Sequence, residues 1–401
     1  MRLLAAAACL LALAGPPARA GDWPQWGGPG RDHRSTDTGL LRSWPEGGPP
    51  RAWLVEGLGA GHSSPAVANG ALYVTGMVEK QGVLTKLDLD GKTVWRTPYG
   101  PEFTGNRPGA RSSPAVHDGR VYLVSGLGRI VCVEARSGRL LWSVDAAAEY
   151  GAQPIDWGIC ESPLVDGDRL VCVIGGRDAS VIALDRRTGA LLWRTTGLSE
   201  KSAYSSAIVV QRGPARLVVA RLATRTVALD ARSGELLWSH PDESKNDVHG
   251  CLPVYHDGLL FTTNWDGTKG TLLEIAEDGR SAKVRWNAPD LACGYGGVVL
   301  AGGRLYGAVD VRGRWTCVEM ATGKLVGATP GKGAIAWADG MLYTFDERGV
   351  IGLMRPGPAG PEPVSSFKIA LGRGEFFSHP VIAGGRLYVR YADTLAAYRL
   401  R

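Results

Sequence analysis

An all-β, eight-bladed propeller of four-stranded antiparallel blades is the fold this sequence predicts, and three features predict it. "ARSGRLLWS" at Ala135–Ser143 nearly recurs as "ARSGELLWS" at Ala231–Ser239, with "RRTGALLWR" at Arg186–Arg194 between them. Trp53, Trp95, Trp142, Trp193, Trp238 and Trp286 keep step with that repeat, separated by 42, 47, 51, 45 and 48 residues. Eight similar openings start the units, among them "HSSPAVANGALYV" from His62, "RSSPAVHDGRVYLV" from Arg111 and "SHPVIAGGRLYVR" from Ser378. Self-similarity at such a period marks a repeat architecture in which each unit buries its face against its neighbours.

Within a unit, "SPAV" and "RVYLV" are short β-rich runs joined by "HDG" or "NG", a hairpin signal. A third run such as "RIVCVEA" or "TVALDAR" follows, then a Ser/Thr-Gly turn, then "LLWS" as a fourth strand. Four antiparallel strands at this period read as a propeller blade, with the tryptophan packed between neighbours. The last unit stops after a third strand at "LAAYRL", while "RAWLVEG" at Arg51–Gly57 is a spare fourth strand at the other end. Pairing the two closes the ring and removes an exposed sheet edge. The expected organisation is a leader over 1–20, an irregular lead-in over the surface at 21–50, and one propeller over 51–401.

The leader reads as an export signal. Arg2 supplies the charge, Leu3–Ala14 the apolar run, and Ala18-Arg19-Ala20 a small-x-small cleavage site. About a dozen apolar residues is too short to span a bilayer, and no later run approaches that length. The expectation is a periplasmic or secreted, soluble monomer. Formal net charge is +6, and Arg2 and Arg19 leave with the leader, so the remainder carries about +4. Its basic residues are scattered, which argues against nucleic acid as a partner.

The "LD-x-x-TG-x-LLW" and "SSP-x-V-x-x-GR-x-Y" elements resemble those of the quinoprotein-alcohol-dehydrogenase-like propeller superfamily. Its exported pyrroloquinoline-quinone-like repeat proteins are the nearest group, and often begin like "DWPQWGGPGRD" at Asp22–Asp32. The propeller lipoprotein of outer-membrane β-barrel assembly has similar repeats. The resemblance implies the fold across nearly the whole chain. For the dehydrogenases it also implies pyrroloquinoline quinone, held by an adjacent cysteine pair and a calcium bound by Glu, Asn and Asp. No Cys-Cys dipeptide occurs here, no Glu/Asn/Asp set stands out, and no lipidated cysteine follows the leader.

Local motifs that look chemical read as turns. His117-Asp118-Gly119 and His256-Asp257-Gly258 occupy the hairpin position of Asn69-Gly70, and Asp88–Gly91 replaces a Thr-Gly turn. No phosphate loop, dinucleotide fingerprint, zinc spacing or nucleophile elbow appears. The less ordinary residues stand where each innermost strand begins, ringing one mouth of the channel: His62, Arg111, Cys160, Glu161, Tyr204, His249, Tyr295, Lys332 and His379. A solvated funnel of miscellaneous polar groups is the competing reading.

Arg111 and Lys332 suit an anion, the histidines suit proton exchange near neutral pH, and Trp157 or Tyr295 offers a stacking surface. The expected function is a non-catalytic binding or scaffold propeller that takes a protein, glycan or small anionic ligand at this mouth. The alternative is a quinone-dependent oxidoreductase. Cys132, Cys172 and Cys317 are expected as buried thiols; Cys251 and Cys293 form the one plausible pair, with free thiols the favoured state.

Overall fold

The computed structural model describes residues 21–242, 244, 247–265, 269–369 and 376–401; the expected leader lies outside the described residues. Eight separate four-stranded antiparallel sheets follow one another around a channel. Blades 1 to 7 cover 66–101, 115–145, 164–194, 208–241, 254–288, 298–330 and 333–368. Blade 8 is built from 381–399 together with Arg51–Val55, which pairs Val55 with Leu395 and Arg51 with Tyr398. The ring is thus closed by the first strand completing the last blade.

The repeated Trp and Gly form the joints. In each of six joints an indole N–H donates to a carbonyl in the next blade, from Trp53 to Leu89 at 2.8 Å round to Trp286 to Met320 at 3.0 Å. Five of these rings lie flat on the turn glycine of that blade: a Cβ added at Gly91, Gly138, Gly189, Gly234 or Gly323 would come within 2.4–2.9 Å of the indole. Those glycines also have φ of 71–83°, so both conformation and contact require them. Gly327 and Ser365 occupy the tryptophan's register in blades 6 and 7. At the first, the backbones touch, since a Cβ on Gly327 would meet the Ala359 oxygen at 1.7 Å. At the second, Trp44 from the lead-in donates its backbone N–H to Ser365 and packs on Phe367.

The hairpin motifs are turns, as their residues require. Asn69, Asp118, Asp257 and Asp339 all have φ between 45° and 53°, and Asp88 accepts the backbone N–H groups of Asp90 and Lys92. Cys132, Cys172, Cys251, Cys293 and Cys317 are buried free thiols, and Cys251 Sγ lies 3.3 Å from the Cys293 carbonyl.

The lead-in departs from expectation. Its first part crosses the channel instead of the surface. Trp23 pairs with Val67 in the innermost strand of blade 1, Pro24 accepts from Val116 of blade 2, and His33 and Ser35 bond Trp337 of blade 7. Arg31, 3% exposed, donates to the carbonyls of Ser162 and Pro163 at blade 3. The hydrophobic Trp23 and the buried guanidinium find inside the ring the partners that a surface course would deny them. One end of the channel is sealed.

These joints predict two results. Trp193→Ala should cost about 3–5 kcal/mol in urea unfolding, since a 7%-exposed indole and its hydrogen bond are lost. Deleting residues 21–57 should lower the melting temperature sharply, because it removes the seal and bares the edge of blade 8.

Candidate functional site

The innermost strands begin on one face of the ring, and register decides which of their residues face the channel. In every blade the side chain four positions before the residue that pairs with the second strand's aromatic or its equivalent lies at the mouth. For blade 1, Ala66 pairs with Tyr73 and the mouth residue is His62; for blade 8, Val381 pairs with Tyr388 and it is Phe377. Around the ring this position holds His62, Arg111, Cys160, Tyr204, Gly250, Tyr295, Lys332 and Phe377, and all eight line one cavity of about 300 Å³. Trp26 of the sealing segment reaches the same cavity, as do Trp157, Trp265, Arg107 and Glu347 from loops.

Seven of the nine sequence-predicted mouth residues therefore meet in the wall; His379 does so two positions deeper, beside Trp26 at 4.4 Å between rings. Glu161 and His249 do not. Successive residues of an extended strand face opposite ways, so Glu161, next to Cys160, turns into the joint between blades 3 and 4. His249 is fully buried and its Nε2 sits 3.0 Å from the Ala223 carbonyl. Counting from the hairpin aromatic, rather than to the nearest polar side chain, identifies Gly250 and Phe377. The loop residues carry no repeat signal.

Below the mouth a girdle of serines ties the blades together. The N–H groups of His379, Ser64, Ser113 and Ser162 donate in turn to Oγ of Ser64, Ser113, Ser162 and Ser206, each at 2.8–2.9 Å. This is why "SSP" recurs: the second serine accepts from the preceding blade.

Charge at the wall differs from expectation in one respect. The histidines are neutral. Burial, then Arg111, Arg390 and Arg107, bring His62 down to about 3, and burial brings His379 down to about 4, so neither exchanges protons near pH 7. Carboxylates behind the wall do instead. Glu161 accepts the N–H groups of Cys160, Ala203 and Tyr204 at 2.8–3.1 Å, and burial nonetheless raises it to about 7. Asp310, beside Tyr295, accepts from Gly294 and is likewise raised by burial to about 7.

Tyr204 stands at φ 67°, a strained backbone for a bulky residue. Glu161 holds it there, with the Trp157 N–H donating to its hydroxyl. Burial also raises the Cys160 thiol far above its ordinary range, which favours its protonated form. Arg111 donates to the carbonyls of Asn106, Arg107 and Gly109 and stacks over Phe103 at 5.1 Å, so it also fastens its own loop.

A family model described as outer membrane protein assembly factor BamB matches residues 79–329. The chain belongs to this family of pyrroloquinoline-quinone-like propellers. The match covers five of the six tryptophans, from Trp95 to Trp286.

Among curated relatives, 1-butanol dehydrogenase (quinone) of Thauera butanivorans is 31% identical over 111 residues, 28% of this chain and 17% of that protein. Assembly factor BamB of Moranella endobia is 31% identical over 142 residues, 34% of this chain and 33% of that one. The matches thus span a third or less of these relatives' lengths. Solved structures agree on fold. BamB of Moraxella catarrhalis superposes with a TM-score of 0.65 at 14% identity, over 88% of this chain and 97% of that one. The quinohemoprotein alcohol dehydrogenase of Comamonas testosteroni gives 0.68 at 12%, over 96% and 81%.

The wall does not fit calcium-bound pyrroloquinoline quinone. Among the described residues its one lining carboxylate, Glu347, is engaged by Lys332 at 3.0 Å and by the Tyr295 hydroxyl, and no cluster of three His, Cys, Asp or Glu suits a metal. Cys160 has no adjacent cysteine.

The raised carboxyls carry a pH signature. Glu161 lies above its ordinary value, so between about pH 4.5 and 7 the folded protein holds a proton that the unfolded chain releases. The stability from that difference is full below the window and lost as pH rises through 7. Melting curves of wild type and Glu161→Gln should therefore differ most in favour of wild type near pH 5, with the margin shrinking by pH 8.

Proposed function

We propose that the protein is an exported, non-catalytic binding propeller that captures an anionic ligand in the channel mouth. The observation carrying this reading is the convergence of all eight register-equivalent residues on one cavity sealed at its far end. Among the described lining residues, three cations, Arg107, Arg111 and Lys332, against one paired carboxylate give the wall a positive field, and aromatic rings supply apolar contact. A non-catalytic role is supported by the described lining residues, whose histidines are neutral, whose Cys160 is protonated and whose Glu347 is engaged by Lys332. Export is supported by the Arg2–Ala20 leader pattern. A protein partner's carboxylates are the other candidate for the same mouth, supported by the assembly-factor relative.

The alternative, a quinone-dependent oxidoreductase, rests on the sequence matches to quinone dehydrogenases. One experiment separates them. Intrinsic fluorescence, to which Trp26, Trp157 and Trp265 of the wall contribute among the 13 tryptophans, is titrated with benzoate, citrate and pyrroloquinoline quinone, with and without calcium. Dye-linked alcohol oxidation is followed alongside. Carboxylate binding that ignores calcium, weakens about tenfold in Arg107→Gln and gives no dye reduction is the expected result. Calcium-dependent quinone binding with alcohol oxidation would make the protein an enzyme.

A further inference from the structure

The cavity has three unlike arcs, and together they describe a ligand more narrowly than its charge does. Toward blades 8 to 2 the wall is basic. The Arg107 guanidinium lies over Phe377 at 4.7 Å and Arg111 lies over Phe103, so both heads are held in place before any ligand arrives. Toward blades 4 and 5 the wall is aromatic. Trp157 meets Tyr204 at 5.2 Å and Trp265 at 6.3 Å between ring centres. Toward blades 6 and 7 stand Lys332 and Glu347, each about a third exposed, with the Tyr295 hydroxyl on the same carboxylate.

Each arc excludes something. The planes of Trp157 and Trp265 cross at 81°, and those of Tyr295 and Phe377 also at 81°. Among described rings in contact with one another, the near-parallel pair is His33 with His379, 4.8 Å apart. Neither of these two corners is a slot of parallel faces for a flat polycyclic plate, whereas a puckered ring presents C–H groups to both walls of a corner. Glu347 in an otherwise cationic wall repels a simple aromatic acid or phosphate, and asks for a ligand that also carries hydrogen-bond donors. The arginines ask for a carboxylate.

We infer that the cavity receives a sugar acid: a uronate-type pyranose unit with its carboxylate on the Arg107–Arg111 arc, its C–H face in the Trp157–Trp265 corner and its hydroxyls on Lys332 and Glu347. This rests on the reading of the mouth as an anion-binding site and names the ligand class for it. The unit is either free or the end of an acidic oligosaccharide, and the two sources share this chemistry.

The test is calorimetry on the full chain with galacturonate, glucuronate, trigalacturonate, glucose and benzoate. A uronate should bind at least about tenfold more tightly than glucose, which lacks the carboxylate, and than benzoate, which lacks the hydroxyls. Glu347→Gln should lower uronate affinity about tenfold and raise that of benzoate, which it no longer repels; Arg107→Gln should lower both. Tighter binding of trigalacturonate than of the monomer assigns an oligosaccharide end, and equal or weaker binding assigns the free acid. Benzoate binding with no uronate preference would overturn the sugar-acid assignment while leaving an anion site. Glucose binding as well as galacturonate would overturn it too. Heat from none of these ligands, together with no carboxylate response in fluorescence, would remove both.

Discussion

The indole N–H of each docking tryptophan, bonded to a carbonyl in the next blade, is the interaction on which the rest of this molecule depends. A four-stranded blade is too small to bury its own faces, so it borrows a surface from each neighbour. Six joints use the same indole contact, and five of them seat the ring on a left-handed glycine that brings it onto bare backbone. Repetition alone does not hold a ring, because an open array would leave two blades half covered. Pairing Arg51–Val55 with the final strand covers both, and the lead-in then crosses the channel to blade 7, where Trp44 serves a joint whose own register holds Ser365.

Closure also makes the site. Eight strands that start on one face of a ring must bring eight equivalent side chains together, whatever those side chains are. In blades 1 to 4 serines two positions further on carry the bonds from blade to blade, which leaves the mouth position open to chemical variety. Burial then sorts the charges. Imidazoles near arginines lose their protons, while carboxylates turned into the joints hold theirs up to near neutrality. Tyr204 shows the coupling: its strained backbone is held by Glu161 behind it, and its ring completes the wall in front.

The sequence carried the architecture because hairpins, Thr-Gly turns and tryptophans are local patterns with a fixed period. Blade number, ring closure and the turn character of His117–Gly119 all follow from such patterns. The wall was legible where register and polarity coincided, as at His62, Arg111 and Lys332. It was misread where a polar residue sat one or two places off register, drawing attention to Glu161 and His249 instead of Gly250. Trp265, Glu347 and Arg107 come from loops whose direction is set only by the assembled ring. The sealing role of 21–37 was hidden for a different reason: an irregular segment rich in glycine reads as surface until the channel that accepts Trp23 and Arg31 exists.

Native-state hydrogen exchange at the amides of Arg51–Val55 tests ring closure most directly. In a closed ring this strand opens only when neighbouring blades open, so those of its amides that bond across to Thr394–Arg399 should be protected as strongly as the partners they face. Exchange of Arg51–Val55 at the rate of a fraying terminus, with Thr394–Arg399 still protected, would contradict the account.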